Sequence, residues 1–258
     1  MRFGVCSPLD RAAIVRSAGW DYVEAGVPEL LQGQTPDDAA WTGELLAKQS
    51  PLPIRTAYLL VPPTLKIVGP DADLAALKEY LRHVVARAAR LDIRILGFGS
   101  GGARNVPDGF DRPCAGEQLL DFCRAAAEIA GEADVVIAME PLNRPECNFV
   151  NTIAEVAAIV RAVDHPAFRA LLDTYHLWRE NEPLANVAAA VPLIAHVHVS
   201  DLENRTPPGE SGTSDYRPIF RLLKAAGYDG MMSVESKSFD AESGARSLEF
   251  LKRQWNEA

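Results

Sequence analysis

The side chains best suited to chemistry lie in the second half of the chain. Glu140 closes the apolar run VVIAME, Asp173 closes RALLD, His196 and His198 alternate within HVH, and Glu235 closes MMSVE. Short apolar runs of this kind read as buried strands, so each of these residues stands at or near a strand end. A period of two sends Val136, Ala138 and Glu140 to one side and Val135, Ile137 and Met139 to the other. The same alternation turns His196 and His198 inward and Val197 and Val199 outward. Three carboxylates and an imidazole on one rim repel one another unless a cation sits among them. An oxygen-rich set with a single nitrogen suits Mn²⁺, Mg²⁺ or Co²⁺ better than a thiolate-type zinc site. Taken singly, each residue reads as readily as a strand-end cap or a salt-bridge partner. Together, on consecutive strands, they read as one site.

A cation bound to a carbonyl and its neighbouring hydroxyl acidifies the intervening C–H by stabilising an enediolate. Glu140 and Glu235 are the candidate acid/base pair. One carboxylate takes the proton, and the other can return one from the opposite face with inverted configuration. One base serving both carbons gives aldose–ketose isomerisation instead. Both outcomes stay open at this point.

The elements that must position these groups follow a strand-then-helix alternation without a linker. Strands are predicted at 2–6, 22–25, 54–60, 93–98, 135–140, 169–173, 196–200 and 231–235. The clearest helix spans 71–91, with Leu74, Leu77, Leu81, Val84, Val85 and Ala88 on one face and Asp71 or Asp73 as its cap. A second spans 151–163, capped by Asn151 or Thr152. Eight such units in 258 residues match a single (β/α)₈ barrel, whose chemistry sits at the C-terminal ends of the strands. A doubly wound sheet would favour GxGxxG after the first strand, where SPLDRA stands instead. GSGGAR at 99–104 could meet an anion through backbone N–H groups and Arg104, but a tight βα turn is the favoured reading.

Composition narrows the partners. Lys and Arg total 26 against 35 Asp and Glu, a net charge of −9, which disfavours nucleic acid and anionic membranes. No run approaches the roughly 18 apolar residues of a membrane helix, and the start of the chain predicts no signal sequence. Cys6, Cys114, Cys123 and Cys147 form no CxxC pair and read as free thiols of a cytoplasmic protein. Glu24 at the end of the second strand reads first as a salt-bridge partner and second as a support for the site residues, His196 as a hydrogen-bonded core histidine, and His83 and His165 as solvent-facing. Trp20, Trp41, Trp178 and Trp255 read as packing residues, with Trp178 also placed to wall a pocket.

The stretches MEPLNRPECNFVNT, LLDTYHLW, HVHVSDLENRTPPG and YDGMMSVES carry a resemblance. The chain resembles the xylose isomerase-like TIM barrel superfamily, most specifically its D-tagatose/D-psicose 3-epimerase branch, along its whole length and most strongly from Val135 to Glu235. The resemblance implies a single barrel domain over residues 1–258 and one divalent ion, Mn²⁺ first. It implies Glu140, Asp173, His198 and Glu235 as metal ligands, with Glu140 and Glu235 also as the catalytic acid/base pair. Glu146, His176 and Arg205 become substrate contacts. His176, three residues after Asp173, could otherwise cap its loop, and Arg205 could be a solvated loop cation. Two departures stand out: Pro145 replaces a usual aromatic, and one additional residue separates His198 from Arg205. The implied function is a metal-dependent ketose 3-epimerase acting on a small carbohydrate, as a homodimer or homotetramer. An inosose dehydratase or a hydroxypyruvate isomerase-like enzyme is the alternative. An apurinic endonuclease fits poorly with five histidines and the negative charge, and the intact quartet argues against a non-catalytic sugar-binding barrel.

Overall fold

A computed structural model describes residues 1–258. The strands are β1 (Arg2–Cys6), β2 (Tyr22–Gly26), β3 (Ile54–Tyr58), β4 (Ile95–Phe98), β5 (Val136–Met139), β6 (Phe168–Asp173), β7 (Ile194–Val199) and β8 (Met231–Val234). They pair in sequence order, all parallel, and β8 closes onto β1. The predicted barrel and its strands are therefore present, with small shifts at the ends. β5 and β8 stop one residue short of Glu140 and Glu235. The ladder still holds both residues, because Glu140 N–H donates to the Phe98 carbonyl at 3.1 Å and Glu235 N–H to Val199 at 3.0 Å.

The helices pack outside the barrel, and apolar strand faces meet them. Ile137, Met139, Val197 and Val199 are fully buried in one core with Leu81, Val84 and Phe122 of the surrounding helices. Each such side chain contributes about 1.5–3 kcal/mol by leaving water. The helix Leu74–Arg90 starts at Asp73, whose carboxylate accepts from the N–H groups of Ala75 and Ala76, both at 3.0 Å. Helix Ile153–Val163 is opened by a Thr152–Glu155 capping box. Asn151 turns inward instead, and its amide donates to the carbonyls of Leu142 and Cys147 at 2.6 Å. No helix is long and apolar enough to cross a membrane, and the four cysteines are free thiols.

Two expectations about histidines need correction. His83 and His165 are half-buried rather than solvent-facing. His83 lies against Glu79 at 3.3 Å, and His165 Nδ1 accepts from the Ala167 N–H at 3.1 Å. Both sit where helices press on the barrel, which periodicity alone did not register. Trp178 packs on Tyr216 with ring centroids 5.0 Å apart, so it belongs to the packing and not to a pocket wall.

Arg104 is fully buried, and its guanidinium serves the backbone. Nε donates to the Gly99 carbonyl at 2.7 Å, Nη2 to Glu140 at 2.7 Å, and Nη1 to Phe149 and Val150 at 3.0 and 3.4 Å. The glycine-rich stretch is thus a βα turn held by its own arginine, with no free cation for an anion. One side chain ties the β4 turn, the end of β5 and the loop that follows it. Val150 in that loop adopts a left-handed φ of 61°, uncommon for a branched residue and held by these bonds. Replacing Arg104 by Leu leaves buried carbonyls unpaired, at about 1–3 kcal/mol each. An Arg104→Leu protein should lose roughly 3 kcal/mol or more and melt some 6–12 °C lower, measured by thermal and denaturant unfolding.

Candidate active site

The strand ends bring the sequence-predicted quartet together. Ligand atoms of Glu140, Asp173, His198 and Glu235 all lie within 4.8 Å of one another. His198 Nδ1 is 3.2 Å from Glu140 Oε1 and 3.2 Å from Glu235 Oε2. Glu140, Asp173 and His198 are buried, whereas Glu235 is partly open to the cleft. Local sequence explains each position. Asp173 ends β6 and caps the next short helix, its Oδ1 accepting from Tyr175 and His176 N–H at 2.6 and 3.1 Å. Its Oδ2 has no hydrogen-bond donor, although it is buried. Gly99 gives Glu140 its space: a Cβ there would lie 2.4 Å from Glu140 Oε2.

The electrostatics split the carboxylates. Burial, reinforced by the neighbouring Glu235, pushes Glu140 above the usual carboxylate range. Burial also raises Asp173, against the pull of Arg205. Glu235 goes the other way: burial opposes its charge, but the Arg205 guanidinium and His198 hold it well below its ordinary value. Neighbouring carboxyls driven apart in this way are suited to opposite roles in proton transfer. Carboxylates and an imidazole gathered this closely are also a ligand set for a hard cation. Asp173 Oδ2, buried without a hydrogen-bond donor and 3.8 Å from Arg205 Nη2, and the clustered ligand atoms fit a divalent ion.

Above the quartet is a cleft of about 190 Å³, lined among others by Tyr58, Leu59, Glu140, His176, Arg205 and Glu235. Arg205, in a left-handed conformation with φ 53°, reaches Glu235 at 2.8 Å and Glu146 at 3.4 Å. The sequence-predicted Glu146, His176 and Arg205 therefore all face one cavity, and Arg205 is not a solvated loop cation. His176 does not cap through its ring. Its Nδ1 accepts from the backbone and side-chain nitrogens of Asn143, at 3.1 and 2.8 Å. Its proton therefore lies on Nε2, which has no protein partner. Burial holds the ring below its ordinary pKa, so it is a neutral donor.

Sequence reasoning missed Asn143, which also donates to Glu146 Oε1 at 2.8 Å. Its signal was its place inside the stretch EPLNRPE, between the two glutamates. Tyr58 and Leu59 on the opposite wall carried no signal. His196 is the expected core histidine, buried and 2.7 Å from Glu24 through Nε2. Glu24 meets His196 through that contact and reaches His198 as well, at 3.1 Å.

Comparison with known proteins agrees with this geometry. The chain is 27% identical over 230 residues to D-psicose 3-epimerase of Agrobacterium fabrum, covering 86% of this chain and 76% of that protein. It is 26% identical over 191 residues to a Mus musculus protein provisionally named hydroxypyruvate isomerase, covering 70% and 67%. The structure of D-allulose 3-epimerase from Methylomonas sp. in complex with D-allulose superposes with a TM-score of 0.82 at 22% identity, over 98% and 97% of the two chains. These relatives are isomerases and epimerases. Residues 12–254 match the family described as the xylose isomerase-like TIM barrel, and the chain belongs to that family.

Proposed function

We propose that this protein is a divalent-metal-dependent sugar epimerase or isomerase, acting as a ketose 3-epimerase. The observation that carries the reading is the quartet within 4.8 Å, with an Asp173 oxygen that accepts no hydrogen bond, at the floor of a cleft that holds Arg205 and His176. Glu140, Asp173, His198 and Glu235 would hold one divalent ion, Mn²⁺ in first place and Mg²⁺ or Co²⁺ otherwise. When bound, the ion supplies Lewis acidity to a carbonyl and its neighbouring hydroxyl, making the C–H between them removable.

The chain's own groups do the rest. Glu140 and Glu235 approach the cleft from β5 and β8, strands separated by two others. That separation supports removal of a proton by one carboxylate and return by the other. His176 Nε2–H donates to a substrate oxygen. Arg205 and Glu146, already paired, donate to and accept from hydroxyls. Together they fix the chain of carbons relative to the two carboxylates. A second reading, isomerisation of hydroxypyruvate at the same site, is favoured by the likeness to the mouse protein.

Metal-loaded protein incubated with a ketose panel in D₂O should exchange the C3 proton, followed by NMR. Exchange with hydroxypyruvate and with no ketose would select the second reading, and exchange with neither would defeat both. Glu140→Gln and Glu235→Gln should each lower the exchange rate by at least about 10². Wild-type rates in both variants would sink the two-carboxylate assignment. Chelator dialysis should abolish exchange and Mn²⁺ restore it. Mn²⁺ at about 100 times its Kd should stabilise the fold by roughly 2.7 kcal/mol, raising the melting temperature by about 5–10 °C.

A further inference from the structure

Beneath the quartet, the barrel interior holds a second buried polar group of residues with no apparent part in the reaction. Glu24, Tyr22, His196 and Ser233 come from β2, β7 and β8, and all are buried. Glu24 Oε2 accepts from Ser233 Oγ at 2.5 Å and His196 Nε2 at 2.7 Å, and its Oε1 lies 3.1 Å from His198 Nε2. Carboxylate oxygens accept, so with Glu24 as the shared acceptor its three neighbours serve as the donors. Ser233 spends its proton on Glu24, and Tyr22 Oη at 2.8 Å must then donate to Ser233. Every proton in the chain is thereby assigned, and all point toward Glu24. His196 Nδ1 is buried and makes no hydrogen bond, so Nε2 is the ring atom that meets this group. Cys6 Sγ, 3.8 Å from His198 Nε2, is a weaker and longer contact than Glu24.

The geometry points to Glu24 as a positioning residue for His198. It holds the proton on Nε2 and so keeps the Nδ1 lone pair aimed at Glu140 and Glu235, where a divalent ion would be bound. The room for this arrangement is built in, because Gly4 lies flat against the Tyr22 ring, 2.3 Å from where a Cβ would stand. The inference rests on the metal site proposed above and goes beyond it. It says why one particular nitrogen faces the ion, and it assigns a function to a glutamate 174 residues away in sequence.

Glutamine at position 24 offers one acceptor oxygen and an amide donor, so it cannot accept from both histidines. Glu24→Gln should weaken Mn²⁺ binding by about 10- to 100-fold, read from the free-ion signal in electron paramagnetic resonance. Tyr22→Phe disturbs the same interior without touching the Glu24–His198 contact, and it should keep wild-type affinity. Equal Mn²⁺ affinity in a folded Glu24→Gln protein, with wild type binding the ion, overturns this inference and leaves the functional reading intact. Wild type that binds no Mn²⁺ overturns both. Should Glu24→Gln not fold, long-range ¹H–¹⁵N spectra of wild-type protein loaded with diamagnetic Mg²⁺ decide the matter. His198 protonated on Nε2 and bare on Nδ1 is the expected pattern, and a proton on Nδ1 overturns the inference.

Discussion

Like charge held close in a low-dielectric place is the constraint around which this barrel is organised. Glu140, Asp173 and Glu235 converge with one imidazole inside a space of a few ångströms. In water such a cluster would disperse, but side chains on the ends of adjacent strands in a closed barrel cannot. Arg205 relieves part of the repulsion by pairing with Glu235 and Glu146. Burial first, and the remaining repulsion from Glu235 after it, drives the carboxyls of Glu140 and Asp173 toward the neutral form. A cation placed among them would offset that repulsion.

The surrounding structure works to keep that cluster where it is. Arg104 carries a full charge into the interior and spends it on carbonyls of the β4 turn, the β5 end and the next loop. Asn143 performs a smaller version of the same task, joining Glu146 to His176. Below, Glu24 gathers protons from three donors and orders the barrel's interior. Such networks add little net stability over an apolar filling, and their value lies in direction. Each fixes which atom of a functional side chain faces the cleft.

Much of this was legible in the sequence, for a definable reason. Strands buried on both faces announce themselves as apolar runs, and a carboxylate at the end of such a run is conspicuous. Glu140, Asp173 and Glu235 could thus be located, and alternation alone assigned His198 to the interior. Asp73 was legible as one of two caps because capping needs only neighbouring residues. Long-range partners were not legible. That Arg104 holds the Phe149 carbonyl, or that Glu24 faces His198 as well as His196, depends on barrel closure and side-chain reach, which no local pattern encodes. Asn151 shows the same limit: a good cap by type, it was recruited to bind Leu142 and Cys147 while Thr152 took the helix.

Gly99 shapes the cleft in a way that extends beyond its own contact. Since any side chain there collides with Glu140 Oε2, that flank cannot be narrowed without displacing the carboxylate. On the flank formed by β5 and its loop, Arg104 ties Glu140 and Phe149 to a common anchor, so a shift in one drags the other. The neighbouring end of β3 presents Tyr58 and the exposed Leu59 to the cleft, and their side chains belong to neither set of contacts. Change in the shape of the cleft is therefore open to side chains at the end of β3 and closed to those beside Glu140.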